Sequence, residues 1–120
     1  MATELKQEIL RYSKLNGYPI DDFNRIECSC GAVDFHLYSD DEEGGAYLIC
    51  PYCQLEHDVE KSRDYILEAE RNICLCENEE LQVAVARAYY PDSSDPSWIY
   101  LGGHCTKCGL SGVYVDWKQS

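Results

Sequence analysis

Basic residues are scarce in this chain. Ten Lys and Arg stand against 22 Asp and Glu, for a formal net charge of −12. Nucleic-acid phosphates are held by clustered Lys and Arg, so this balance argues against nucleic acid as the main partner. It favours a basic protein surface, which a strongly negative protein attracts and meets quickly. Long apolar runs are missing as well, and no stretch approaches the ~18 apolar residues of a membrane helix. The start, Met1-Ala2-Thr3-Glu4-Leu5-Lys6, carries an acid early and lacks the apolar segment of a secretory signal. The expected setting is therefore cytoplasmic and away from membranes. Enzyme signatures are absent too: there is no Ser/His/Asp grouping, phosphate-binding loop or His-Glu-x-x-His run.

What the chain does have is cysteine, eight in 120 residues. In a reducing compartment such a set reads as metal ligands before it reads as disulfides. The hydrophobic content of 45% excludes wholesale disorder. Yet halves of roughly 50 residues bury little surface unaided, so a metal or covalent staple is expected. The cysteines supply it. They fall in four close pairs, Cys28-Ser29-Cys30, Cys50-Pro51-Tyr52-Cys53, Cys74-Leu75-Cys76 and Cys105-Thr106-Lys107-Cys108. Each half thus runs C-x-C, hairpin, C-x2-C, and each closing pair is followed two residues later by a leucine, Leu55 or Leu110. The repeated order points to an internal duplication.

Close pairs suit zinc because one tight turn aims two thiolates at a single ion, and two such turns complete a closed tetrahedron. Four sulfurs favour zinc or iron over hard cations. Two structural Zn²⁺ per chain are expected. The hairpin inside each half favours sequential sites, Cys28, Cys30, Cys50, Cys53 and Cys74, Cys76, Cys105, Cys108. A cross-braced pairing, with first and third pairs sharing an ion, is the rival. With both sites complete in cysteine, His57 and His104 are expected in ordinary polar roles and His36 in solvent. A thioredoxin-type pair would need a helix start in an α/β setting, which this pattern lacks.

These motifs resemble the zinc-ribbon class over roughly Cys28 to Trp117. Cys105-Thr106-Lys107-Cys108-Gly109 looks like the C-x2-C-G knuckle of that class, and Cys50-Pro51-Tyr52-Cys53 like its C-P-x-C form, with Gln54 where glycine is usual. The opening C-x-C pairs are tighter than the usual C-x2-C. As a class, zinc ribbons bind nucleic acids, make subunit contacts or serve as structural inserts, so the resemblance leaves function to the surface.

The expected fold is α+β: an N-terminal helix (1–20), a first antiparallel zinc ribbon (21–57), a linking helix (58–72) and a second ribbon (73–120), forming one compact unit. The first helix follows from Leu5, Ile9 and Tyr12, ended by Gly17 and Pro19. The linking helix follows from Val59, Ile66, Ala69 and Ile73 along one side of Asp58–Arg71. Strands are expected at Ala32–Tyr38, Ala46–Ile49, Leu81–Tyr89, Trp98–Leu101 and Val113–Trp117.

Candidate partner contacts are the acidic hairpin tip, Asp40, Asp41, Glu42 and Glu43, and aromatic anchors such as Trp98 and Tyr100. The function expected is a non-enzymatic, zinc-stapled interaction module for a basic protein, for example an inhibitor or immunity-type protein covering a cationic nuclease. The alternatives are a nucleic-acid-binding ribbon with Lys107 in its contact patch, and a thiol redox enzyme.

Overall fold

The computed structural model describes residues 2–119, with side-chain surroundings from residue 4 onward. Helix α1 spans Ala2–Asn16. Eight strands follow: β1 Asp22–Arg25, β2 Asp34–Asp40, β3 Gly45–Ile49, β4 Glu56–Asp58, β5 Glu70–Asn72, β6 Leu81–Tyr89, β7 Pro96–His104 and β8 Ser111–Lys118. All pairings are antiparallel, in the order β4-β3-β2-β6-β7-β8, with β1 added to β6 and β5 to β2.

The duplication expected from the cysteines is present as a pseudo-twofold. Phe35 and Leu81 occupy the same position after the first cysteine of their halves, and they pair with each other where β2 meets β6. Beyond that point the halves exchange strands. Arg25 and Asn24 of β1 lie opposite Ala84 and Val85 of β6. Arg71 and Glu70 of β5 lie opposite the equivalent Tyr38 and Ser39 of β2. The strand leading into each half is thus seated on the other half. One cluster holds Phe35, Leu37, Leu48 and Val59 together with Leu81, Val83, Ile99, Leu101 and Trp117. Each such large apolar side chain contributes about 1.5–3 kcal/mol on burial.

Where the symmetry breaks, α1 docks. The cross-strand pair Ala84–Gly102 lies beneath Leu5 and Ile9. The equivalent pair in the first half is Tyr38–Tyr47, whose rings stack at 5.0 Å and fill that face themselves. The helix ends at Gly17, φ +86°, with Gly17 N–H donating to Lys14 C=O and Tyr18 N–H to Ser13 C=O. This closure satisfies the last carbonyls with a left-handed residue that glycine adopts without strain.

The expected linking helix is corrected, and with it the picture of two ribbons joined by a helix. The fold is a mostly antiparallel eight-stranded sheet carrying α1, the one α-helix among the described residues. Asp58 ends β4, Arg63–Tyr65 is a single 3-10 turn, and Glu70–Asn72 is strand β5. Local side chains outcompete the helix. Asp58 Oδ1 accepts from Arg63 N–H, and the buried Ser62 hydroxyl accepts from Ala46 N–H. Asp40 Oδ2 accepts from the amides of Leu67 and Glu68. Such side-chain acceptors offer backbone amides an alternative to helical bonding. Of the apolar residues that suggested the helix, only Val59 is fully buried.

Candidate metal centres

The four turns that carry the cysteines are two turn types, each used twice. In the opening turns Cys28 N–H donates to Ala32 C=O and Gly31 N–H to Cys28 C=O, while Cys74 N–H donates to Asn78 C=O and Glu77 N–H to Cys74 C=O. In the closing turns Cys50 N–H donates to Leu55 C=O and Gln54 N–H to Cys50 C=O, matched by Cys105 to Leu110 and Gly109 to Cys105. One residue in each turn has a positive φ: Gly31, Gln54, Glu77 and Gly109. Two of the four are therefore non-glycine residues in a region that disfavours side chains. Gln54 gains one compensating bond, its side-chain amide donating to Pro51 C=O at 3.1 Å.

The turns gather the cysteines into two groups, Cys28, Cys30, Cys50, Cys53 and Cys74, Cys76, Cys105, Cys108, with all sulfurs of a group within 4.8 Å of one another. The geometry is sequential; the cross-braced pairing does not occur. Sulfurs approach to 3.5 Å for Cys28 and Cys53, 3.6 Å for Cys30 and Cys50, and 3.5 Å for Cys74–Cys108 and Cys76–Cys105. Disulfide sulfurs lie about 2.05 Å apart. A tetrahedron of ~2.3 Å metal–sulfur bonds has edges of about 3.8 Å. The spacing fits a tetrathiolate site and not a disulfide. Neither group includes a histidine.

Burial and hydrogen bonding divide each group in the same way. Cys28, Cys50, Cys74 and Cys105 are buried, Cys30, Cys53 and Cys108 exposed, and Cys76 is intermediate. Burial raises the Cys50 thiol, but the amides of Cys53 and Tyr52 and the neighbouring thiols outweigh it, leaving Cys50 at about 7. Cys105 is likewise raised by burial, then lowered to about 6 by Asn78 and the Cys108 amide. The Leu55 and Leu110 amides pull Cys53 and Cys108 down, yet neighbouring sulfurs and burial leave both at about 12. Four sulfurs at this spacing share protons among themselves unless a cation neutralises them.

Asn78 is a contributor that the spacing of cysteines does not reveal. Its side-chain amide donates to Cys105 Sγ at 3.2 Å and to Glu80 C=O at 2.8 Å. The first half has Ala32 at this position, so only the second centre carries this bond. The histidines join neither group of sulfurs. His104 is buried and meets Ser111 Oγ through Nδ1 at 2.6 Å. His57 sets its ring against Phe35, and His36 is half-buried beside Arg71 rather than free in solvent.

The candidate partner residues separate. Asp41, Glu42 and Glu43 are exposed and, with Glu68 and Glu70, line an open cleft of about 390 Å³. Asp40, at the cleft floor, is buried, and its carboxylate accepts from the amides of Glu42, Glu43, Leu67 and Glu68. The Glu43 amide foremost, with the others, holds this carboxyl below its ordinary value. Two further acids, Glu56 and Glu60, are engaged by Arg63 and Arg87. Tyr100 is wholly buried under α1, its hydroxyl donating to Tyr18 C=O, so it is not a surface anchor. Trp98 is half-buried, stacked on Tyr18 at 4.6 Å.

Comparison of the chain with family models, curated proteins and solved structures finds no match. The zinc-ribbon likeness therefore rests on the cysteine turns alone. What stands on geometry is a chain with two four-cysteine groups able to hold metal ions. No helix of the described residues is long and apolar enough to cross a membrane.

Proposed function

We propose that each cysteine group holds one structural Zn²⁺ and that the chain is a non-enzymatic module binding a basic protein through its acidic cleft. The observation that carries the metal half is the repetition of both turn types around two closed sets of four sulfurs. Four protein ligands leave no open coordination position, which favours a structural ion over a catalytic one. Bound there, zinc would neutralise the thiolates and tie the hairpins together; the chain's own turns set the sulfurs in place.

The docking half is supported by charge and shape. Five exposed carboxylates from two segments, Asp41–Glu43 and Glu68–Glu70, converge on one cleft within a protein of net charge −12. Lys or Arg side chains of a partner are its natural occupants. An inhibitor-type role at a cationic protein surface is the concrete form of this reading.

Crosslinking in the native host, with the captured protein identified, tests it. The partner is expected to be basic and its binding to weaken steeply between low and high salt. Combined D41N, E42Q, E43Q, E68Q and E70Q substitutions should abolish capture, while E4Q, which neutralises the exposed acid on α1, should leave it intact. Capture that survives the cleft substitutions, or retention of an oligonucleotide instead, would sink the docking reading.

A further inference from the structure

We infer that the two metal centres load and release their ions as a unit, coupled through the exchanged strands. This rests on the reading of the cysteine groups as metal sites, and it concerns the energetics between them. The opening turn of the first centre, Cys28 and Cys30, lies between β1 and β2; that of the second, Cys74 and Cys76, lies between β5 and β6. In both cases the strand entering the turn is paired to the opposite half: β1 to β6 and β5 to β2. The strand leaving each turn begins at the Phe35–Leu81 contact on the pseudo-twofold. Each opening turn is therefore anchored at both ends to structure that the other turn also uses.

The packing points the same way. Cys28 and Cys50 of one centre and Cys74 and Cys105 of the other belong to a single buried cluster with Phe35 and Leu81. A chain with one ion would leave four unneutralised sulfurs at the empty group, two of them in that shared core. It would also leave β1 or β5 tethered to an unstapled turn, although that strand completes the loaded half. Halves this small do not supply a self-sufficient core. Loss of one ion thus removes part of the other centre's framework, which is coupling in the thermodynamic sense and is reciprocal.

Independent equal sites would show a one-zinc species rising to about half of the population at half saturation. Native mass spectrometry of the whole chain, during addition of zinc to metal-free protein and during removal by a chelator, reads this directly. The expected spectrum holds zero-zinc and two-zinc chains, with the one-zinc form well under that share in both directions. Hydrogen exchange on the same samples should show β1, β2, β5 and β6 losing protection together. A one-zinc species at about half the population, with one half still protected, would overturn the coupling while leaving the metal reading intact. A chain that takes up no zinc would overturn both. The C30S/C53S variant gives a second test: coupling predicts that it also fails to retain zinc at the untouched second group. Normal retention there refutes it.

Discussion

At the scale of single residues, the contacts around Cys105 and under α1 make measurable claims. The Asn78 amide is a hydrogen bond to sulfur that only the second centre has. One such bond contributes about 1 kcal/mol, or about fivefold in a rate it controls. Asn78→Ala is expected to speed zinc release to a chelator by roughly that factor, measured by stopped-flow absorbance. Gly102 makes room for the helix: a Cβ there would sit 2.6 Å from Ile9 Cδ1 and 3.0 Å from Leu5 Cδ1. Both leucine and isoleucine are buried, so they have little space to yield. Gly102→Val should cost about 1–3 kcal/mol by overpacking, read by denaturant unfolding of the zinc-loaded protein. Legibility at this scale followed the chemistry. Cysteine pairs announce their geometry because two thiolates on one turn have few other uses. Tyr100 announced nothing, since whether an aromatic ring is an anchor or a core residue depends on which element lies over it, and here α1 does.

At the scale of elements, the strands of both hairpins and α1 were readable from period and punctuation, and the segment between the halves was not. Val59, Ile66, Ala69 and Ile73 have helical spacing, but spacing says nothing about Asp40, Asp58 and Ser62 capturing the amides of that segment or its neighbours. Nor could it show that Glu70–Asn72 completes the edge of β2. Tertiary pairing overrode a weak local preference. The same segment carries strain that can be relieved. Lys61 is exposed and holds φ +59°. A left-handed conformation costs an L-residue about 1–2 kcal/mol, and glycine avoids it while losing ~0.5–1 kcal/mol to its freer unfolded state. Lys61→Gly is accordingly expected to raise stability by up to about 1 kcal/mol, measured by the same unfolding experiment. Glu60, next to it at φ +54°, is unsuited to this change because it pairs with Arg87.

At the scale of the whole molecule, the repeated cysteine order showed a duplication but not that the copies trade strands. Exchange is set by which edges remain unpaired once each hairpin forms, and that is a property of two halves together. It has a direct consequence for dissection. A peptide of residues 70–120 contains the whole second ligand set but lacks β1, the partner of β6, and the Phe35 side of the seam. It should remain largely unfolded by circular dichroism with zinc present; adding a peptide of residues 1–69 should restore the fold. The whole fold hangs on the metal centres, and zinc-edge X-ray absorption on protein purified without added metal, with zinc counted per chain, reads them without disturbing the chain. Two zinc ions per chain, each with four sulfurs at about 2.3 Å, is the predicted result. One ion or none, or nitrogen and oxygen in the first coordination sphere, would contradict it.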